Sequence, residues 1–355
     1  MANQVLYGFY SLKDLFNDRL TTTSGEVVAN AIQQSVDEHN RQINAIMGLF
    51  ADPTTDYTGR FLTPGTHRLQ PLDENGRALP VKFAGHYDVA FPIRDAGSAW
   101  GANYKTMAKL TVADANRITG EMLKADALWM RDQLMAALFA SATHTFVDAQ
   151  WGSLTIQPIA NGDSVTYSRT GGGAAAVDTH QLFYNNSIAD VTDPFSTWVT
   201  ELTEHPENTG DVVILIPTNL VSAVQALSAF HAVADPNITP GANTDTLNGS
   251  LGVALPGKLL GYHEAGAWIA EWKALPSNYV LGTTTQGERA LKMRQEPEAE
   301  LQGFHLAGER NDHPYYERQW VRYAGFGAFN RVNAFVALVG AGAYAVPTGY
   351  TPPIS

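Results

Sequence analysis

The sequence predicts an α+β fold, and three observations support this prediction. A helical stretch from Thr111 to Ala142 has apolar residues separated mostly by three, four or seven positions, which places them on one helix face. An extended, hairpin-rich stretch over 57–110 precedes it. Strands and short helices alternate over 186–312. With 355 residues, the chain can bury a large core.

The composition excludes several classes of function. The net charge is −12, which argues against a dedicated nucleic-acid binder, because such a protein neutralises phosphates with Lys and Arg. The chain contains 0 cysteines, so it forms no disulfide and no thiolate metal site. The first residues lack the basic and apolar segments of a signal peptide, and the longest near-apolar run is too short and glycine-rich to cross a membrane. We therefore expect a soluble protein without a membrane segment. Only 16% of the residues are charged, which favours a surface partly covered by partners.

The N-terminal part is expected to dock on other structure. Residues 1–23 are too apolar for a free tail. Ser24 begins a helix that continues to Phe50 and that Pro53 ends. The apolar residues of one face of this helix are Val28, Ile32, Val36, Ile43, Met47 and Phe50.

The stretch 57–110 is predicted to be an extended hairpin. Asp73 to Gly76 contains Asn-Gly, which favours a tight hairpin turn. A second loop is predicted at 96–101, and a returning strand at 104–110. Apolar and polar residues alternate near Val81 and Phe83 and again near Val89. Because an isolated hairpin is marginally stable in water, this one is expected to lie on a partner surface.

The long helix has clear signals at its beginning. Thr111 and Asp114 can satisfy the free amides of the first turn. A helix of roughly 30 residues spans on the order of 45 Å, well above the mean for globular proteins. Its predicted apolar residues are Ile118, Met122, Leu123, Trp129, Met130, Leu134, Leu138 and Phe139.

The remaining chain is predicted to contain many short elements. A hairpin around Asn161 to Asp163 and a linker at Gly171 to Gly173 form an inserted segment over 150–176. The later predictions are helices at 194–204 and from Thr218 to Ala229, strands at 211–216, 259–272, 279–281 and 291–295, a polar connection at 296–314, and two final strands at 319–323 and 331–339 with a bend at Gly325 and Gly327.

Two segments resemble nucleotide-binding motifs but are incomplete. Residues 252–258 match a phosphate-binding loop, but Leu259 stands where Ser or Thr would hold magnesium. Residues 340–345 resemble a dinucleotide fingerprint, but no helix is predicted to follow them.

A zinc-protease motif is also incomplete. His263 and Glu264 begin it, but Ala267 occupies the position of the second histidine. The 10 histidines are scattered, and isolated histidines are usually structural. We therefore predict no catalytic residues, no cofactor-binding residues and no metal ligands, and the chain is predicted not to be an enzyme.

Two segments and the order of the elements resemble the major capsid protein of tailed bacteriophages (Caudoviricetes), which has the Hong-Kong-97-type fold. The segment YERQWVRYAGFGAFNRVNAFV from Tyr316 to Val336 is similar to the C-terminal pattern of that family, and YDVAFPIR from Tyr87 to Arg94 leads into the long helix. The resemblance covers nearly the whole chain and rests on layout more than on any single motif.

The resemblance implies a division of the chain into named parts. These are an N-arm at 1–56, an E-loop at 57–110 with its tip at 73–76 or 95–101, a peripheral (P) domain at 111–185 with the spine helix at 111–142 and the inserted hairpin at 150–176, an axial (A) domain at 186–312, and closing P-domain strands and a C-terminal tail at 313–355.

The function implied by the resemblance is structural. Hexamers and pentamers would assemble into an icosahedral head that encloses double-stranded DNA without sequence-specific binding. The implied partners are further copies of this chain, a portal, and scaffolding or decoration proteins. The implied location is the virion capsid, assembled in the host cytoplasm. Some members crosslink Lys to Asn, but nothing in the sequence pairs Lys82, Lys105 or Lys109 with an Asn and a catalytic Glu.

Two alternatives remain open from the sequence. An encapsulin-type nanocompartment shell shares the same fold and would bind cargo on its inner surface. An enzyme with an unrecognised site is the other, and it would be a soluble monomer with a ligand-binding cleft.

Overall fold

The computed structural model comprises two compact units, each assembled from three stretches of the chain. The residues that the structure describes are 25–62, 71–77, 85–170, 175–233, 254–313 and 315–354. Within these, unit 1 comprises 25–43, 94–131 and 296–323, and unit 2 comprises 44–93, 132–295 and 324–354.

The described chain is mixed α and β. Its helices are α1 (Gly25–Met47), α2 (Tyr104–Met107), α3 (Val112–Phe139), α4 (Phe195–Thr203) and α5 (Val221–Gln225), with 3₁₀ turns at Asp190–Thr192, Thr218–Leu220 and Ala299–Leu301. Its strands are β1 (Ala51–Thr54), β2 (Thr58–Leu62), β3 (His86–Ala90), β4 (Arg94–Asn103), β5 (His144–Asp148), β6 (Gly152–Ile156), β7 (Asn161–Tyr167), β8 (Ala176–Thr179), β9 (Gln181–Tyr184), β10 (Thr209–Ile216), β11 (Phe230–Ala232), β12 (Lys258–His263), β13 (Ala267–Glu271), β14 (Tyr279–Gln286), β15 (Leu291–Gln295), β16 (Phe304–Asp312), β17 (Tyr315–Ala328) and β18 (Ala334–Val339).

The long helix is confirmed as α3, which ends at Phe139 rather than at Ala142. The Asp114 amide donates to the Thr111 hydroxyl at 3.2 Å, and the Thr111 amide donates to the Asp114 carboxylate at 3.1 Å. This reciprocal pair satisfies free amides of the first turn. Met130, Leu134 and Phe139 are fully buried, so the predicted apolar face is correct in the second half of the helix.

The first helix is also confirmed, but it ends earlier than the sequence predicts. α1 ends at Met47, and Val36 and Met47 are buried as predicted. Pro53 does not end the helix, because it lies inside β1, which pairs in parallel with β15. β1 is at the edge of its sheet, where a residue without an amide hydrogen is tolerated.

Two predicted features of unit 1 are wrong, namely the loop at 96–101 and the strand at 104–110. The expected loop at 96–101 lies inside β4, which pairs with β17. Gly97 favours this pairing, because a Cβ there would stand 3.2 Å from the Trp320 carbonyl oxygen. The expected strand at 104–110 begins instead with α2, whose first turn is capped by Asn103 accepting from the Thr106 amide at 2.9 Å.

The end of the chain also differs from its prediction. The expected polar connection at 296–314 contains β16, which pairs antiparallel with the first half of β17. The expected bend at Gly325 and Gly327 is continuous strand, and β17 pairs with β15 over Ala324–Ala328 within unit 2. A Cβ at Gly325 would collide with the Pro92 carbonyl oxygen, so this glycine permits close backbone approach rather than a bend.

Unit 2 is built on a seven-stranded mixed sheet in the order β11-β12-β13-β10-β14-β18-β9. α4 packs on this sheet: Trp198 and Leu202 share one buried cluster with Ile214 and Phe335. The predicted helix at 194–204 and the predicted strands at 211–216, 279–281 and 291–295 are therefore confirmed. The helix predicted from Thr218 is shorter, since a 3₁₀ turn precedes α5 and α5 ends at Gln225.

Unit 2 also contains three separate antiparallel pairs, namely β2–β3, β5–β6 and β7–β8. The predicted turn at Asn161 to Asp163 is wrong, because β7 begins there and pairs with β8. The turn joins β5 to β6 instead, where the Asp148 carboxylate accepts the amides of Gln150 and Trp151 at 2.8 and 3.0 Å.

Several predicted features lie outside the described residues. They are residues 1–24, Val81, Lys82, Phe83, the glycines at 171–173, and the part of the phosphate-loop match at 252–253. Among the helices of the described ranges, none is long and apolar enough to cross a bilayer.

Candidate functional site

Among the described residues of unit 1, the sheet has one exposed face. Along β4, half-buried and exposed side chains alternate strictly. In the first half of β17, Tyr315, Glu317 and Gln319 are exposed, and the residues between them are half-buried. β16 is exposed from Leu306 onwards. This alternation is typical of a sheet with one packed face. In the described part of unit 1, the side chains of the other face are largely polar and exposed.

The packed face of the same sheet borders an apolar cavity of about 230 Å³. Residues from α1, α3, β4 and β17 line it, among them Ile32, Trp100, Met122 and Trp320. Trp320 also stacks on Phe304 with ring centroids 5.9 Å apart. In the described part of unit 1, an apolar cavity therefore lies beside the packed side chains.

The β2–β3 hairpin of unit 2 carries exposed apolar side chains. Thr58 pairs with Ala90 and Leu62 with His86, and the connection contains the turn predicted at Asp73 to Gly76. This turn is confirmed, because the Gly76 amide donates to the Asp73 carbonyl at 2.9 Å and Gly76 has a φ of 72°. Leu62 is 71% exposed and Leu72 is 61% exposed. These two leucines are the large apolar side chains that the described part of the hairpin exposes.

A buried charged group, here called the Asp126 cluster, lies in unit 1 and consists of His39, Asn40, Asp126 and Arg322. Both carboxylate oxygens of Asp126 accept from the Arg322 guanidinium, at 2.5 and 2.7 Å. One of them also accepts from His39 Nε2 at 2.7 Å. Asn40 accepts from Arg322 at 2.8 Å and binds the amide and carbonyl of Phe304. The cluster therefore ties α1 and α3 to β16 and β17.

A second buried group, here called the Asp178 cluster, lies in unit 2 and consists of Arg169, Asp178, His180, Glu204 and His205. Asp178 is in β8 and His180 follows it between β8 and β9, while Glu204 and His205 follow the end of α4. His180, His205 and Asp178 are 0%, 1% and 8% exposed. Arg169 binds Asp178 at 2.8 Å and Glu204 at 2.7 Å.

The two histidines of the Asp178 cluster face each other. His180 Nε2 and His205 Nε2 are 3.1 Å apart. His180 Nδ1 is 3.1 Å from the Ala334 carbonyl oxygen, and His205 Nδ1 is 2.9 Å from the Ser168 carbonyl oxygen. His205 Nε2 also lies 3.4 Å from the Asp178 carboxylate and 3.7 Å from the Glu204 carboxylate.

The charges of the Asp178 cluster shift the acidities of its members. Burial and the neighbouring His205 lower the pKa of His180 to about 3. Burial alone would lower the pKa of His205. Hydrogen bonds with Asp178 and the Ser168 carbonyl outweigh this effect, so the pKa of His205 is raised. Burial, followed by the charges of Asp178 and Glu204, raises the pKa of Glu201 to about 7. When the histidine pair takes up a proton, that proton therefore resides on His205.

The residues of the incomplete zinc-protease motif are not brought together as a metal site. His263 lies at the end of β12, 3.0 Å from Asp193, and Glu264 pairs with His231 at 2.9 Å. Lys105 and Lys109 are exposed, in α2 and just after it. Sequence reasoning missed the pairing of His180 with His205, because the two residues are far apart in the chain and match no motif.

Comparison with solved structures finds the same fold in a phage protein. A chain of Mycobacterium phage Patience aligns with a TM-score of 0.68 and 17% identity, covering 100% of this chain and 99% of that chain. The capsid structure of the cyanophage P-SCSP1u aligns with a TM-score of 0.48 and 9% identity, covering 82% of this chain and 85% of that chain. The capsid of the native GTA particle aligns with a TM-score of 0.44 and 11% identity, covering 84% of this chain and 91% of that chain. No protein-family model and no curated protein matches the chain. The first comparison shows a shared fold, and the other two TM-scores lie below 0.5 and add no argument. The resemblance to a phage protein is thus confirmed at the level of the fold.

Proposed function

We propose that this chain is the structural major capsid protein of a tailed bacteriophage and that it is not an enzyme. The observation that carries this proposal is the alignment with the Mycobacterium phage Patience chain along the full length of both chains. The sequence resemblance to the Hong-Kong-97-type family, which rests on the order of the parts, agrees with it. Copies of the chain assemble through hexamers and pentamers into an icosahedral head around double-stranded DNA.

The parts of the chain take the roles that the family resemblance implies. Residues 1–56 form the N-arm, 57–110 the E-loop region, 111–185 the P-domain with its spine helix, 186–312 the A-domain, and 313–355 the closing strands and tail. The exposed leucines of the β2–β3 hairpin and the open sheet face of unit 1 support contacts between subunits. Portal and scaffolding or decoration proteins are the further partners, and the virion capsid, assembled in the host cytoplasm, is the location.

The first experiment is negative-stain electron microscopy of the overexpressed chain, together with its sedimentation profile. We expect closed icosahedral shells or rings of five or six subunits. Shells that carry a co-purified protein cargo instead of DNA would favour the encapsulin-type alternative. A monodisperse monomer that persists at high concentration and added salt would contradict the proposal and would favour an enzyme with an unrecognised site.

A single substitution tests whether the β2–β3 hairpin makes subunit contacts. Leu72→Asp should prevent shell formation while leaving the melting temperature of the unassembled subunit unchanged, because Leu72 is 61% exposed and contributes little to the core. Ser222→Asp is the matched control, since it adds the same charge at an exposed polar residue of α5 in another part of unit 2. Normal shells from the Leu72 variant would exclude a contact at this residue.

A further inference from the structure

Two histidines of the Asp178 cluster meet at their Nε2 atoms. The carbonyl oxygens of Ala334 and Ser168 can only accept hydrogen bonds, so Nδ1 carries the hydrogen in both rings. The Nε2 atom of each neutral ring then carries a lone pair, and the two Nε2 atoms are 3.1 Å apart. Two lone pairs at this separation repel each other unless a cation lies between them, either a proton, which makes the contact a hydrogen bond, or a metal ion. When neither Nε2 carries a hydrogen, both are therefore free to ligate a metal ion.

We propose that the Asp178 cluster is a binding site for a divalent transition-metal ion of the zinc class, with His180 Nε2, His205 Nε2 and the Asp178 carboxylate as ligands. Ligand atoms of these three residues lie within 4.8 Å of one another. Zinc binds imidazole nitrogen at about 2.0–2.1 Å, so ligand atoms in a tetrahedral site are about 3.3–3.4 Å apart. The observed separations of 3.1 Å between the two nitrogens and 3.4 Å between His205 Nε2 and the Asp178 oxygen are close to this value.

The choice of zinc over calcium or magnesium follows from the donor atoms. Imidazole nitrogen suits zinc, whereas calcium and magnesium prefer oxygen ligands alone. Glu204, whose carboxylate lies 3.7 Å from His205 Nε2, is placed to provide the fourth ligand.

The charges around the site also favour a bound cation. Carboxylate oxygens of Asp178, Glu201 and Glu204 lie within 4.8 Å of one another, and Arg169 forms ion pairs with two of these residues. A metal ion bound here would lie beside these carboxylates, of which Asp178 is buried and Glu201 and Glu204 are half-buried. The Tyr167 hydroxyl is buried without a hydrogen-bond partner in the described chain, and its ring centroid is 6.1 Å from that of His205. Arg169 holds the carboxylates in place, as outer partners of metal ligands do.

The test is zinc binding by the untagged, full-length protein after chelator treatment and dialysis. Isothermal titration should give one zinc per chain, and cobalt should give the strong visible absorption of a tetrahedral site with nitrogen and oxygen ligands. His180→Gln and Asp178→Asn should each weaken zinc binding by at least about 10-fold. His231→Gln is the matched control, because His231 also pairs with a carboxylate, at 2.9 Å from Glu264, but lies outside the cluster. It should bind zinc as the wild type does.

A measurement on the wild type keeps the test decisive if the variants do not fold. Histidine nitrogen chemical shifts recorded with and without zinc should change at Nε2 of two histidines and leave their Nδ1 atoms protonated. Zinc content far below one per chain, equal affinities in the wild type and His180→Gln, or unchanged histidine shifts would each overturn the proposal. None of these outcomes bears on the capsid assignment.

Discussion

The two buried charged clusters of this chain solve the same physical problem in different ways. In the Asp126 cluster, the carboxylate accepts two hydrogen bonds from Arg322 and one from His39, and Asn40 takes a remaining guanidinium hydrogen. In the Asp178 cluster, carboxylates outnumber the single arginine, and two histidine nitrogens face each other at 3.1 Å. The first cluster is complete in its own side chains, whereas the second needs either a proton or a metal ion between its two histidines.

Buried charge has a different role in each unit: in unit 1 it specifies how the elements pack, and in unit 2 it forms a polar site that the surrounding core tolerates. Buried ion pairs add little net stability over an apolar core, but removal of one partner is expensive. The Asp126 cluster connects four elements of unit 1, so it specifies how these elements pack. The Asp178 cluster sits in a unit with a large sheet and core, which can tolerate an unsaturated polar site.

The largest expected effect is in the Asp126 cluster. Asp126→Ala leaves the Arg322 guanidinium, whose side chain is 1% exposed, without its carboxylate. The free energy of unfolding should fall by about 3–5 kcal/mol, measured by urea denaturation of the unassembled subunit. Asp88→Ala is the control, because it breaks the Arg60–Asp88 pair, in which both side chains are more than half exposed. It should leave stability unchanged within error, and equal losses in both variants would contradict the distinction.

A smaller effect is expected on the pH dependence of stability. The Asp126 cluster should make the free energy of unfolding fall as the pH becomes acidic. Burial alone would raise the pKa of Asp126, but hydrogen bonds from His39 and Arg322 outweigh it and hold that pKa below its usual value. The pKa of an aspartate in an unfolded chain is about 3.9. Asp126 therefore contributes stability above that pH, and the contribution is lost as the pH falls through the lower folded pKa. Asp126→Asn should flatten the acid limb of the stability curve, measured by urea denaturation from about pH 5 downwards. An unchanged slope would mean that Asp126 is not the group that titrates.

The elements that the sequence predicted correctly are those whose signals are local. Thr111 and Asp114 are three positions apart, so the beginning of α3 could be read from neighbouring residues. The turn at Asp73 to Gly76 is local in the same sense. The errors at Gly97 and Gly325 have one cause. Glycine permits either a turn or close approach of another backbone, and the approaching carbonyls belong to Trp320 and Pro92, which are distant in sequence.

Neither polar cluster could be predicted from the sequence, for the same reason. Asp126 and Arg322 are separated by 196 positions, and His180 and His205 by 25. Their contacts arise from the pairing of β16 with β17 and from the position of the end of α4. A histidine is interpreted as structural when no second ligand stands at helical or hairpin spacing. Only the fold brings these two Nε2 atoms together.

The smallest expected effect sharpens the comparison, since it concerns the cluster that depends on an exchangeable cation. In the chelated, metal-free protein, His180→Gln removes the hydrogen bond from His180 Nδ1 to the Ala334 carbonyl. The glutamine carbonyl can still accept the Nε2 hydrogen of the protonated His205. The free energy of unfolding should therefore fall by about 1 kcal/mol, the net value of one hydrogen bond, as measured by urea denaturation with chelator present. A loss as large as that of Asp126→Ala would mean that the Asp178 cluster is an internally complete structural network, and the distinction between the two clusters would fail.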